Sequence, residues 1–192
     1  MKSTIKRIKE NITEAEYKKL IYGVQGHDTL KEHTKVNLVR AFTLLYFTGL
    51  RLNEVQNLTL GNIKELLDLG QTKLILSKTS SERKLYAGKE FQKYLKRLFD
   101  LKGNLDTGVI TKGSTKEGLH PISFIAQVNA VMKSILGEGY TSHSFRQGLI
   151  TEMGSKGVNV KIISQFIGHS DVKTTMRYIK PTDDDVRGAM VR

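Results

Sequence analysis

The strongest constraint on the fold comes from the segment TKVNLVRAFTLLYFTG, residues 34–49, in which apolar side chains recur at helical spacing. A repeat of three to four residues is typical of a helix that packs one face against a protein core. The segment ends at Gly49, and glycine is common just past the end of a helix. The sequence therefore predicts a buried helix that other elements must cover. Its inward residues are predicted to be Leu38, Ala41, Phe42, Leu45 and Tyr46.

Most of the remaining chain also has helical patterns, and one segment is typical of a β-hairpin. In residues 72–87, apolar and polar side chains alternate on both sides of a polar turn at 79–82. Thr13 is predicted to cap a first helix, because Glu16 follows three residues later. The fold class is therefore predicted to be α+β and mostly helical, with a small antiparallel hairpin. Further helices are predicted in 51–63, 88–103, 120–137, 141–157, 159–168, 171–180 and 181–190.

Composition narrows the functional class. Lys and Arg total 31 against 19 Asp and Glu, a net charge of +12, which favours a polyanionic partner such as nucleic acid. The chain has no cysteine, which excludes disulfides and thiolate metal sites and fits a reducing cytoplasm. It contains no run of about 18 apolar residues, so no transmembrane helix is expected. No metal-binding motif is evident, and no cofactor is expected.

Two motifs in the first half of the chain carry candidate functional residues. In TGLRLNE, Arg51 opens a predicted helix, and Glu54 lies three residues on, where it can hold the guanidinium. In KTSSER, Lys78 and Arg83 flank the predicted hairpin turn. Taken singly, the first motif favours an ordinary surface ion pair and the second a basic hairpin face.

Two further motifs lie in the second half. In HSFR, His143 and Arg146 share one helical face near a helix N-terminus, where backbone amides attract anions. In IGHSDVKTTMRY, His169 lies at a helix break and Tyr178 on the next helix. Taken singly, these are compatible with a capped surface helix, a loop histidine and a half-buried core tyrosine.

Together these residue types are what one phosphoryl-transfer chemistry requires. Two arginines can grip the non-bridging oxygens of a phosphodiester with paired hydrogen bonds. A tyrosine hydroxyl can attack the phosphorus and form a covalent link, with its proton taken by a histidine. A lysine can protonate the leaving sugar oxygen, and fixed positive charges can stabilise the transition state. The combination therefore favours an enzyme that acts on nucleic acid.

At these motifs the sequence resembles the tyrosine recombinases, or phage integrase family, over its catalytic domain. The resemblance implies that Arg51 and Arg146 hold the scissile phosphate and that His169 donates a hydrogen bond to it. It also implies that Tyr178 is the nucleophile. The remaining implied roles are proton transfer for His143, general acid for Lys78, support of Arg51 for Glu54 and DNA contact for Arg83.

The resemblance also implies a domain organisation. A basic N-terminal arm is expected in residues 1–11, the catalytic domain in 12–181, and a C-terminal tail in 182–192 that is a candidate for docking on a neighbouring protomer. A helix packed on its own domain is an equal alternative for the tail. The sequence departs from the family where Gln147 replaces the usual histidine and where Tyr86 replaces a common proline.

The function implied is site-specific recombination or integration through a 3′-phosphotyrosyl intermediate, independent of metal and ATP. The expected partners are duplex DNA and further copies of the chain in a synaptic homotetramer, with weak association or a monomer in the absence of DNA. A cytoplasmic, nucleoid-associated location without membrane binding fits this function. A type IB topoisomerase-like enzyme and a non-catalytic basic DNA-binding module are the alternatives.

Overall fold

The computed structural model describes residues 10–75, 82–113, 117–179 and 183–190, and in this part of the chain it is mostly helical with one two-stranded sheet. The predicted α+β class is confirmed. In chain order the elements are α1 (Glu14–Gln25), α2 (Glu32–Thr48), α3 (Leu52–Gln56), α4 (Leu60–Asp68), β1 (Gln71–Ile75), β2 (Glu82–Tyr86), α5 (Lys89–Leu98), α6 (Pro121–Leu136), α7 (Ser142–Ser155), α8 (Val160–Ile167), α9 (Val172–Met176) and α10 (Asp183–Ala189).

The chain forms two compact units, residues 1–149 and 150–192, and their boundary falls within α7. In the first unit α2 is the central helix and packs against α1, α3 and α5. Four of its five predicted inward residues are fully buried, and Tyr46 is half-buried. Leu44 and Thr43 are buried as well, so α2 is covered on more than the one face that the pattern predicts.

The N-terminal end of the first unit follows the predicted capping pattern. Thr13 is the N-cap of α1, and its backbone N–H donates to the Glu16 carboxylate at 3.0 Å. Before it, the Ile12 N–H donates to the Ser144 carbonyl oxygen at 3.2 Å, which attaches this segment to the first turn of α7. Residues 10–12 therefore belong to the folded unit, whereas most of the predicted arm lies outside the described residues.

The predicted hairpin is present as an antiparallel pair in which Lys73 lies opposite Lys84. Its side chains alternate between exposed and buried positions, and Leu74, Arg83 and Leu85 lie on the buried side. Residues 79–81 of the predicted turn lie outside the described residues, as does Lys78, whereas the last turn residue, Glu82, begins β2. The sheet is held to the helices through Thr72, whose hydroxyl donates to the Glu65 carboxylate of α4.

The prediction of one helix in residues 51–63 is wrong, because the segment forms α3 and α4 with a break at Asn57. Thr59 caps the second helix, accepting a hydrogen bond from the Asn62 N–H at 3.3 Å. The first two amides of α4, those of Leu60 and Gly61, donate to carbonyl oxygens in the loop at 105–107. These bonds satisfy the amides that every helix start leaves without an internal partner.

The second unit contains α8, α9 and α10. Its buried apolar residues are Ile150, Ile163 and Ile167, and α8 packs against α9. Gly168 ends α8 with a φ of 76°, a left-handed conformation that glycine adopts readily. The predicted tail helix is present as α10, and residues 180–182 before it lie outside the described residues. Among the described helices, none has the length and apolar character that a membrane crossing needs.

Candidate active site

The first part of the candidate site is the turn between α2 and α3. Gly49 ends α2 with a φ of 59°, and its N–H donates to the Leu45 carbonyl oxygen at 2.9 Å. This left-handed residue redirects the chain so that Arg51 becomes the N-cap of α3. The side chain of Arg51 is 47% exposed, so its guanidinium is accessible to an anion.

Glu54 is the buried carboxylate next to this turn, with a side chain only 7% exposed. Its Oε1 accepts a hydrogen bond from Arg51 NH1 at 2.7 Å, and its Oε2 accepts from the Arg51 backbone N–H, also at 2.7 Å. The same Oε2 accepts from Arg83 NH1 at 3.3 Å. One carboxylate therefore contacts two guanidiniums from different elements.

Arg83 lies on the inner side of β2 and is 4% exposed. Its NH2 donates to the Thr48 carbonyl oxygen at 2.8 Å. Burial lowers the pKa of Arg83 to about 10; the carboxylate of Glu54 opposes this shift and the charge of Arg51 adds to it. The group stays protonated at neutral pH, and a direct DNA contact, as predicted from the sequence, would require the strand to move away.

Arg146 joins the same region from α7. It is 1% exposed, and its NH1 donates to the Gly49 carbonyl oxygen at 2.8 Å. Arg83 and Arg146 thus donate to consecutive carbonyls at the C-terminal end of α2, where the helix dipole is negative. A phosphate contact by Arg146 requires this guanidinium to become exposed.

His143 lies in the first turn of α7 and is exposed, one helical turn before Arg146. Residues three apart in a helix lie on the same face, as the sequence predicts for this pair. Gln147, the departure from the family pattern, is 6% exposed and belongs to the interior. The side chain at this position therefore contributes to packing.

A separate group of candidate residues lies in the second unit and centres on Thr175, which is fully buried. Its hydroxyl lies 2.8 Å from Nδ1 of His169, and either atom can be the donor. The carbonyl oxygen of the same residue accepts from the Tyr178 N–H at 3.1 Å. One threonine therefore orients the histidine ring and the backbone of the tyrosine.

The structure thus brings the predicted residues together in two groups. Arg51, Glu54, Arg83 and Arg146 surround the α2–α3 turn, with His143 at the start of α7 in the same unit. His169 and Tyr178 are linked through Thr175, which sequence reasoning missed. No periodicity signals this residue, because it lies six positions after His169 across a helix break. Among the described residues, no group of histidines and carboxylates could hold a metal ion.

Comparison with known proteins identifies the family. The model of the phage integrase family matches residues 10–185. The chain belongs to this family. The matched range includes every residue of both groups.

Relatives and solved structures agree with this family membership. The tyrosine recombinase XerA of Pyrococcus horikoshii is 29% identical over 191 residues, which cover 96% of this chain and 61% of that protein. The chain therefore spans about three fifths of the length of this curated relative.

Among solved structures, the Tn1549 transposon integrase in complex with transposon right end DNA has a TM-score of 0.74 at 18% identity, covering 97% of this chain and 66% of that one. The catalytic domain of bacteriophage HP1 integrase has a TM-score of 0.58 at 14% identity, with 95% of each chain covered. These likenesses show that the fold is that of a tyrosine recombinase catalytic domain.

Proposed function

We propose that this chain is the catalytic part of a site-specific DNA recombinase or integrase that cleaves and rejoins duplex DNA through a 3′-phosphotyrosyl intermediate. The observation that carries the proposal is the group of arginines around the α2–α3 turn, in a member of the phage integrase family. The accessible guanidinium of Arg51, held by a buried carboxylate, suits a DNA phosphate.

In the proposed cleavage step, the Tyr178 oxygen attacks the phosphorus and the bond to the 5′ sugar oxygen breaks. The phenolic proton passes to His143, and Lys78 protonates the leaving oxygen. Arg51, Arg146 and His169 stabilise the charge that develops on the non-bridging oxygens. The phosphotyrosyl bond conserves the energy of the broken bond, so attack by the 5′-hydroxyl of another strand reverses the step without ATP.

Duplex DNA and further copies of the chain are the proposed partners, with four copies on two synapsed duplexes and weak association or a monomer without DNA. The net charge of +12 supports DNA binding. A cytoplasmic, nucleoid-associated location follows from that partner. In the tail, Val186 and Met190 are exposed. We propose docking of the tail on a neighbouring copy, with packing on its own unit as the alternative.

The test is covalent capture. The protein is incubated with a labelled pool of nicked duplexes of randomised sequence, and adducts are separated on a denaturing gel. We expect an adduct with the unaltered protein and with the control Tyr22→Phe, whose ring is 72% exposed on α1. Tyr178→Phe should form none, and Lys78→Ala should form it slowly.

The outcomes separate the candidate functions. An adduct that persists in Tyr178→Phe would remove this tyrosine as the nucleophile. Relaxation of supercoiled plasmid without joining of two duplexes would favour the topoisomerase-like alternative. DNA binding without any adduct from the pool would favour a non-catalytic module.

A further inference from the structure

We propose that Arg83 is a positioning residue that acts through Glu54 to orient Arg51 toward the scissile phosphate, an inference that rests on the proposed function. This role replaces the direct DNA contact expected from the sequence, because the guanidinium is buried on the inner side of β2. Arg83 therefore acts on the phosphate only through Glu54 and Arg51.

The contacts form a chain from the surface to the interior. The side chains of Arg51, Glu54 and Arg83 are 47%, 7% and 3% exposed. The accessible guanidinium is held by Oε1 of the carboxylate, while Oε2 accepts from the buried guanidinium at 3.3 Å. The buried guanidinium is fixed in turn by the Thr48 carbonyl oxygen. Each group thus limits the orientation of the next.

This series of contacts matters because the terminal torsion of a glutamate side chain has a broad distribution. A carboxylate that nothing restrains therefore adopts several orientations. Glu54 holds the Arg51 guanidinium through Oε1 and the Arg51 backbone N–H through Oε2, so a rotation of the carboxylate would displace the guanidinium bond as well as the backbone bond. Arg83 restrains that rotation from the side opposite the solvent. A displacement of about 1 Å at a reacting group can cost about 10²-fold in rate.

Arg83 also joins two separate elements at the site. It comes from β2, whereas Thr48 ends α2 and Glu54 belongs to α3. In the sequence it follows Lys78 by five positions, on the other side of the predicted hairpin turn. Strand β2, which follows the proposed general acid Lys78 in the sequence, is therefore hydrogen-bonded to Glu54, the carboxylate that holds Arg51.

The experiment compares Arg83→Gln and Arg83→Lys with a matched control, Arg40→Gln. Arg40 is a half-buried guanidinium with two backbone acceptors, the carbonyls of Leu98 and Val109, at 3.2 and 3.3 Å. These hydrogen bonds do not involve Glu54, so the control tests the loss of an inward arginine alone. Rates of adduct formation are corrected for the folded fraction, which is measured by circular dichroism.

We expect Arg83→Gln to slow adduct formation by about 10²-fold, Arg83→Lys to be intermediate, and Arg40→Gln to match the unaltered protein. In a duplex with a neutral methylphosphonate at the cleaved position, cleavage needs less stabilisation by positively charged side chains. The deficit of Arg83→Gln should therefore shrink on this substrate, which a merely structural defect would not do. Equal rates for Arg83→Gln and Arg40→Gln, or an equal deficit on both substrates, would overturn the proposal.

Equilibrium binding to an intact duplex separates this inference from the proposed function. Arg51→Gln should weaken binding to the duplex, and adding Arg83→Gln should then have little further effect. The reason is that the effects of substitutions on binding free energy are not additive for neighbouring residues that act as a unit. That result without any adduct from the unaltered protein would refute the proposed function and retain the positioning role. Fully additive losses would refute the positioning role whether or not cleavage occurs.

Discussion

The most specific stability prediction concerns Gly148, which lies in α7 against the segment before α1. A Cβ atom built at this position would lie 3.0 Å from the carbonyl carbon and 3.1 Å from the amide nitrogen of Ile12, and closer still to its carbonyl oxygen. Carbon–oxygen contacts normally begin at about 3.3 Å. Because the neighbouring atoms are backbone, Gly148→Ala requires the whole segment to move.

The cost follows from what holds that segment. Its Ile12 N–H donates to the Ser144 carbonyl oxygen at 3.2 Å, and the Ile12 side chain is 3% exposed. Losing this hydrogen bond costs about 1 kcal/mol and exposing the isoleucine about 1.5–3 kcal/mol, while alanine regains about 1 kcal/mol over glycine in a helix. We therefore expect the free energy of unfolding to fall by about 1.5–3 kcal/mol.

Urea unfolding followed by circular dichroism measures this change. The control is Gly103→Ala, because a Cβ there would meet no heavy atom within 4 Å. We expect its free energy of unfolding to stay within about 0.5 kcal/mol of the unaltered protein. If Gly148→Ala were as stable as the unaltered protein, or if both variants lost the same amount, the argument from the close approach would be refuted.

Three further predictions test individual groups. Thr175→Val removes the hydroxyl that lies 2.8 Å from His169 Nδ1. Loss of a whole phosphate donor costs about 10²-fold in rate, so adduct formation should slow by less than that. Thr175→Ser should retain the rate. Glu54→Gln leaves the buried charge of Arg83 without its carboxylate, so urea unfolding should show a loss of about 3–5 kcal/mol; a loss below about 1 kcal/mol would contradict this. Burial raises the pKa of Tyr17 to about 12, against about 10 in the unfolded chain. The contribution of the protonated Tyr17 to the free energy of unfolding is therefore complete below about pH 10 and is lost as the pH rises toward about 12. Tyr17→Phe should flatten that decline in urea titrations, and an unchanged slope would refute it.

The elements of the fold were largely predictable because their signals are local. The apolar repeat of residues 34–49 specifies one helix and its inward face, and the alternation of residues 72–87 specifies two strands and theirs. The break between α3 and α4 was missed even though Thr59 and Asn62 have the spacing of a helix cap. The apolar repeat continues across this break, and the acceptors for the first two amides of α4 lie in the distant loop at 105–107, where local spacing does not reveal them.

The site was predictable in its residue types and less so in its contacts. Arg51 and Glu54 lie three positions apart, so their contact follows from helix geometry. The burial of Arg83 could have been inferred, because it shares a strand face with Leu85, which is apolar. The link from Thr175 to His169 spans a helix break, so no simple periodicity predicts it.

Local spacing therefore determines most of the elements and which of their residues share a face. It also determines the charge and the motifs by which the family is identified. Packing decides the rest: Glu54 and Arg83 are 29 positions apart, and Arg146 and Gly49 are 97 apart. A hydrogen bond between such residues depends on how separate helices and strands meet. The buried carboxylate shared by two arginines, and the lack of room for a methyl group at residue 148, exist only in the folded chain.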